Sequence, residues 1–174
     1  LGIKMNETTL DQVLTQRREA NKDIVNVDEP AVKLVVFDLG DQRFAFYSDR
    51  IREILAQADV FFVPGSPPSL EGVINVRGDI ESVIRPHDML HLSDSNIGRA
   101  SSILLGRGSG MSSGIRVDRV IDVIDVPQSS IHPPPTTMPK HMCALVLGVL
   151  QLQGHPVVVL DLDVIFADYA RGLG

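Results

Sequence analysis

The sequence predicts an all-β fold of small barrels, built from one unit used twice. Three observations carry that prediction. Short apolar, β-branched runs alternate with tight-turn signals along most of the chain, as at Val32–Leu39 before Gly40-Asp41 and at Ser101–Gly106 before Gly108-Ser109-Gly110. Gly72-Val73-Ile74-Asn75-Val76-Arg77-Gly78-Asp79 reads as strand, tight turn, strand, and Gly148-Val149-Leu150-Gln151-Leu152-Gln153-Gly154-His155 repeats it at an offset of 76 (148 − 72). There Gly78 falls on Gly154, and Val83-Ile84 on Val159-Leu160. Upstream, Asp49-Arg50-Ile51-Arg52-Glu53-Ile54 matches Asp118-Arg119-Val120-Ile121-Asp122-Val123 at an offset of 69 (118 − 49). Both matches fall in the same order in the two halves, which favours duplication over two unrelated hairpins.

The elements follow in order. Thr9-Leu10-Asp11-Gln12 spells a capping box, and Leu10, Val13 and Leu14 follow at helical spacing. This predicts a short amphipathic helix over Thr9–Lys22, within an N-terminal extension of residues 1–31 in which Met5 reads as a start residue. Val32–Leu39 and the run through Phe44 and Phe46 make a hairpin. Ser48–Leu55 reads as a short helix or a bent strand, with Ile51, Ile54 and Leu55 on one side and Arg50, Arg52 and Glu53 on the other. Val60-Phe61-Phe62-Val63 is a third strand, stopped by Pro64, Pro67 and Pro68. After the Gly72 hairpin, Pro86 opens a short helix, Pro86–Leu92.

The polar stretch Ser93–Arg99 then divides a single domain, residues 32–170, into a first barrel of about 32–92 and a second of about 100–160. Ile115–Val126 reads as one long or bulged strand, and Pro127–His141 as a stiff proline-rich loop. Ala144–Leu152 and Val157–Leu160 pair about Gln153-Gly154. Asp161 caps a terminal helix, 161–170, whose apolar face is Leu162, Ile165, Phe166 and Tyr169.

Composition narrows the function classes. A chain of 174 residues, 44% hydrophobic with mean hydropathy +0.12, is globular and needs no staple. A net charge of −6 and 5% aromatic content argue against a nucleic-acid or anionic-membrane surface. The single cysteine, Cys143, forms no internal disulfide and fits a reducing compartment. No apolar run is long enough to span a membrane. The first apolar-periodic segment carries Arg17, Arg18 and Glu19, unlike a signal peptide.

The residues that usually carry chemistry do not assemble on paper. His87 and His91 share a helical face, but zinc needs three or four ligands and no further cluster is spelled nearby. His141 and Cys143 lack an activating helix N-terminus or an oxyanion device, so Cys143 reads as a buried structural residue. Gly106–Gly110 lacks the Lys-Ser/Thr ending of a phosphate loop, and Ser48, Ser66 and Ser82 lack a nucleophile elbow. The expectation is no catalytic residue, no cofactor and no metal. Binding candidates are stronger. Arg77, on a rigid hairpin tip, can fork onto carboxylates or carbonyls of a partner, and Ile51 and Glu53 flank a groove.

Phe37-Asp38-Leu39-Gly40-Asp41, Asp49–Ile54, Val63-Pro64 before Pro67, and Leu70-Glu71-Gly72-Val73-Ile74-Asn75-Val76-Arg77-Gly78 together resemble the CheW family of chemotaxis coupling proteins. So do Gly114–Val120, Asp122-Val123, Leu147-Gly148-Val149 and Val157–Asp161 in the second half. The likeness covers about Val32 to Phe166. It implies two SH3-like five-stranded barrels on a shared core, forming a non-catalytic cytoplasmic adaptor without cofactor. Such an adaptor joins the tips of methyl-accepting receptors to the regulatory domain of a CheA-type histidine kinase. The kinase is held barrel to barrel, and the receptor hairpin lies between the barrels. By position, Arg77, Ile51 and Glu53 fall in the first-barrel partner region, with Val123 as the second-half counterpart.

The chain departs from the family where Ser82-Val83-Ile84-Arg85-Pro86 replaces a Pro-Val-Ile-Asp-Leu-like run. Asp161 is kept at the place matching Arg85. An aspartate there caps the next helix, whereas an arginine opposes its dipole by a few tenths to about 1 kcal/mol, partly offset by Pro86. These departures leave open an adaptor of a chemotaxis-like pathway, such as one controlling type IV pili, or a diverged copy that activates no kinase. No receiver domain fits in the remaining residues, which excludes a CheV-like fusion. The rival classes are an enzyme or metal protein using His87, His91 and Cys143, and a small-barrel nucleic-acid binder.

Overall fold

Glycine-bearing turns set the strand boundaries. Gly40, Gly78, Gly110 and Gly154 all take positive φ, and each stands in a tight turn between two antiparallel strands. The computed structural model describes residues 29–92 and 101–172; the expected helix Thr9–Lys22 and the connector Ser93–Arg99 lie outside the described residues. The strands are β1 (Ala31–Leu39), β2 (Gln42–Tyr47), β3 (Ile51–Leu55), β4 (Leu70–Val76), β5 (Asp79–Ile84), β6 (Ser102–Gly108), β7 (Met111–Val117), β8 (Arg119–Pro127), β9 (Val146–Leu152) and β10 (His155–Leu160). A one-turn helix α1 (Lys140–Cys143) precedes β9, and α2 (Leu162–Gly172) ends the described chain.

The strands form two five-stranded sheets, ordered β8-β1-β2-β10-β9 and β3-β6-β7-β5-β4. The fold is all-β, two SH3-like barrels on a shared core, as expected. Exchanging each strand for the one five places away converts one order into the other, so the duplication is visible in the topology. The division of the chain differs from the expected 32–92 and 100–160. The first half gives β1 and β2 to one sheet and β3, β4 and β5 to the other, and the second half does the reverse. The cause is the short link after each leading hairpin. Ser48–Arg50, a 3-10 turn, carries the chain from β2 across to β3, and Asp118 alone carries it from β7 across to β8. The expected single strand Ile115–Val126 is therefore two strands, in different sheets.

The register repeats in detail. Ile54 faces Leu104 as Val123 faces Val35, each step being 69 residues (123 − 54 and 104 − 35). Both pairs of strands carry a bulge at the same place, Ile51/Glu53 facing Gly106/Leu105 and Val120/Asp122 facing Phe37/Val36. An isolated bridge joins Phe61 to Val73, and another joins His132 to Val149. The repeated Gly72 and Gly148 have their reason here. A Cβ on Gly72 would stand 2.3 Å from the Phe61 carbonyl oxygen, and one on Gly148 would stand 2.7 Å from that of His132. Each glycine lets a loop segment lie directly against the strand.

Side chains sort into three packed groups by strand alternation. Leu34, Val36, Ala45, Leu150, Val157 and Val159 fill one barrel, and Ile74, Val83, Ile103 and Leu105 fill the other. The opposite faces of the same strands, with Phe37, Phe44, Phe46, Leu104, Ile115 and Val117, share a common core closed by Ile165, Phe166 and Tyr169 of α2. A nearly buried Arg116 forks onto Glu71 at 2.8 and 3.0 Å and joins β7 to β4.

Three local expectations are corrected. Val60–Val63 is not a strand: Phe61 makes only the single bridge, and Phe61 and Phe62 are exposed. Ile51, Ile54 and Leu55 do not share a side: the bulge between Ile51 and Glu53 shifts the alternation, so that Ile51 packs on the common core, Leu55 packs inside the barrel opposite Ile103, and Ile54 stands exposed opposite Leu104. Pro86–Leu92 forms turns, not a helix. Its bonds Leu90 N to Pro86 O and Leu92 N to His87 O break register, with His91 at φ +53°. At the matching place Asp161 Oδ1 accepts a bond from Val164 N and α2 runs to Gly172. Ser82, the other departure, hydrogen-bonds the fully buried Ser113 hydroxyl at 2.8 Å.

Candidate partner-binding surface

The hairpin tip between β4 and β5 is rigid for local reasons. Arg77 and Gly78 take φ +50° and +93°, matching Gln153 and Gly154 at +51° and +79°. Gly78 N also donates to Asn75 Oδ1 at 2.8 Å. The Arg77 side chain is 75% exposed and forks onto Glu53 of β3, with Nη1 donating to Oε1 at 3.1 Å and Nη2 to Oε2. That hydrogen bond holds the Glu53 carboxyl below the usual glutamate range, and the same bond raises Arg77. Next to it, Arg52 donates to Glu81 Oε1 at 2.9 Å and to Ser112 Oγ at 2.8 Å. A charged strip thus ties β3 to the β4–β5 hairpin and to β7.

Arg77 and Glu53 are therefore brought together. Ile51 is half-buried against the common core, and Val123 stands on β8 in the other sheet, 43% exposed. The register counterpart of Val123 is Ile54, 39% exposed, not Ile51. Sequence reasoning missed Ile54 as an outward residue, although the repeat offset already paired it with Val123 (123 − 69 = 54). It also missed the Arg52–Glu81 pair and the exposure of Phe62 and Ile80.

The two barrels differ at this end. The counterparts of Arg52, Glu53, Arg77 and Glu81 are Ile121, Asp122, Gln153 and Val157. Among the described residues no counterpart of the Arg77–Glu53 fork closes that end; a cavity of about 140 Å³ opens there, lined by Val36, Arg43, Ile121, Asp122, Ile124, Leu152 and Gln153. One barrel end is closed by ion pairs, and the other opens onto a mixed lining, apolar at Val36, Ile121, Ile124 and Leu152 and polar at Arg43, Asp122 and Gln153.

The residues weighed for chemistry do not converge. Buried His87 places Nε2 3.6 Å from Asp118 Oδ1, while His91 stacks on His141 with ring centres 3.8 Å apart. Cys143 is exposed rather than buried, because it ends α1 at the surface, and its Sγ reaches Met138 O at 3.4 Å. Among the described residues no three His, Cys, Asp or Glu side chains form a metal-holding group, and no helix is long and apolar enough to cross a membrane.

A family model described as a CheW-like domain matches residues 33–170. The chemotaxis protein CheW of Treponema pallidum is 27% identical over 145 residues, covering 81% of this chain and 85% of that protein. Protein FrzA of Myxococcus xanthus is 26% identical, covering 72% of this chain and 78% of its own length. The crystal structure of the scaffolding protein TtCheW from Thermoanaerobacter tengcongensis superposes with a TM-score of 0.70 at 27% identity, over 79% of this chain and 93% of that one.

Proposed function

The chain belongs to the CheW-like domain family, and from that premise we propose that it is a non-catalytic cytoplasmic adaptor coupling methyl-accepting chemoreceptors to the regulatory domain of a CheA-type histidine kinase. The observation that carries the reading is the inequality of the two barrel ends. An adaptor must hold two different partners in fixed relative geometry. This chain offers a charged, clasped end around Arg77 and Glu53 and an open end of mixed lining beside Ile121, Asp122 and Leu152, on barrels joined by one core.

Arg77, Glu53, Ile51 and Val123 are the partner-binding residues of this proposal, with Ile54 added as the outward apolar residue of β3. The Arg77–Glu53 fork holds the guanidinium in place before binding. A partner carboxylate or carbonyl competes with Glu53 for the same donors and meets little ordering cost in the arginine. Each contact is small, so the assembly relies on several sites acting together, and a slight receptor displacement is passed on through the shared core.

Calorimetric titration against the regulatory domain of a CheA-type kinase from the same genome tests this. Binding is expected for the parent chain, with at least tenfold weakening in Arg77→Glu. A folded parent chain that binds no such kinase domain removes the coupling role.

A further inference from the structure

A groove of about 430 Å³ lies at the junction of the first barrel with α2, away from the Arg77 clasp. Val32, Tyr47 and Leu147 supply the accessible part of its apolar lining, over the buried Leu160 and Leu162, and Asp49, Asp161 and Asp163 supply carboxylates. Arg50 neutralises one of these through Asp163, at 3.0 Å. Leu147 is 43% exposed and stands beside Val32 and Tyr47, so the three extend one apolar wall.

The described chain begins beside this groove. Gln128, one of its walls, donates to Pro30 O at 2.9 Å, and Ser129 N donates to Glu29 Oε1 at 3.0 Å. Two residues on, Val32 is itself part of the lining. Glu29, the first described residue, therefore stands at the lip of the groove. In that stretch Leu10, Val13 and Leu14 form the apolar stripe predicted above, and Arg17 continues the same face one turn on. The residues from 23 to 28 can reach at most roughly 20 Å, enough to fold back and too little to reach far around the molecule.

We propose that the segment Thr9–Lys22 docks in this groove of its own chain, placing Leu10, Val13 and Leu14 against Val32, Tyr47 and Leu147, and Arg17 among Asp49 and Asp161. The match is one of chemistry on both sides. The apolar stripe meets the accessible apolar wall of Val32, Tyr47 and Leu147, and the cation at its end meets Asp49 and the second oxygen of Asp161, whose Oδ1 accepts from Val164 N. The dock is intramolecular because the tether is short, which raises the local concentration of the segment to the millimolar range.

The test uses the full chain with Cys143→Ser and a spin label on Gln12→Cys, which lies on the polar side of the stripe. Amide signals of Tyr47, Gln128 and Leu147 are expected to lose more than half their intensity, with Arg77 and Val123 unaffected. Leu10→Asp with Leu14→Asp, or Leu147→Glu, is expected to restore the intensities. Loss that survives these substitutions is simple tethering and overturns the proposal, as does loss centred on another face. A sample mixing labelled chain with isotopically enriched, unlabelled chain separates the remaining occupant. Loss of signal there assigns the groove to the segment of a second copy, and the intramolecular dock is wrong.

Discussion

At the scale of single residues, Arg77 was legible and its partner was not. Consecutive turn signals around Gly78 placed the arginine on a hairpin tip, because backbone chemistry there is local. That it meets Glu53 depends on how the barrel closes, which no window of sequence contains. The pairing carries a pH signature. Because the Arg77 hydrogen bond lowers the Glu53 carboxyl, the ionised pair is complete at neutral pH. It persists below the ordinary glutamate range and is lost only as pH falls through the lowered value. A carbon-detected NMR titration of the Glu53 carboxyl should show this, with return to an ordinary midpoint in Arg77→Ala. An unshifted midpoint in the parent would mean that the clasp is open in solution. Gly72 makes a second residue-scale prediction. In the sequence its repetition is a turn-and-strand signature, whereas the structure shows a steric cause in the Phe61 carbonyl. Gly72→Ala should destabilise the fold by about 2 kcal/mol and lower the thermal midpoint by roughly 4–8 °C. A midpoint within a degree of the parent would show that the loop yields freely.

At the scale of elements, strands bounded by glycine turns were read well, and those shaped by a bulge or a crossing were not. In β3 the bulge at Arg52 resets the alternation, so apolar spacing alone put Ile51, Ile54 and Leu55 on one side. The single-residue crossing at Asp118 is equally silent, since Ile115–Val126 keeps its mixture of β-branched and charged residues through a change of sheet. The sequence predicts a helix after each second hairpin, from Pro86 in the first half and from Asp161 and its apolar face in the second, and only the second forms. Arg85 N and Asp161 N make equivalent bonds, to Ser69 O and Leu145 O, so the backbone arrives in the same way. What differs is the carboxylate acceptor that Asp161 presents to Val164 N. Asp161→Ala should therefore weaken α2, costing about 1 kcal/mol in chemical denaturation. No change in the denaturation midpoint would mean that burial of Leu162, Ile165 and Phe166 holds the helix unaided.

At the scale of the whole molecule, the composition and repeats indicated two like units, and the exchange of strands between them was out of reach. Pairing partners such as Phe44 and Val158 lie far apart in the chain, and a repeat is consistent with either closed halves or crossed ones. The crossed arrangement predicts that neither half stands alone. Fragments cut between residues 92 and 101 should each show little ordered β signal by circular dichroism and should regain it when mixed in equal amounts. A fragment that unfolds cooperatively by itself would contradict the exchange. The same crossing also bears on how the chain is made. The sheet containing β3 to β7 has all its strands once Val117 is synthesised, whereas the first hairpin must wait for His155–Leu160. At ordinary elongation rates that wait is on the order of ten seconds, during which Phe37, Phe44 and Phe46 lack their final cover. The nascent chain thus carries its most aromatic segment uncovered from the outset, and the ribosome-bound stage is where it most needs protection from aggregation.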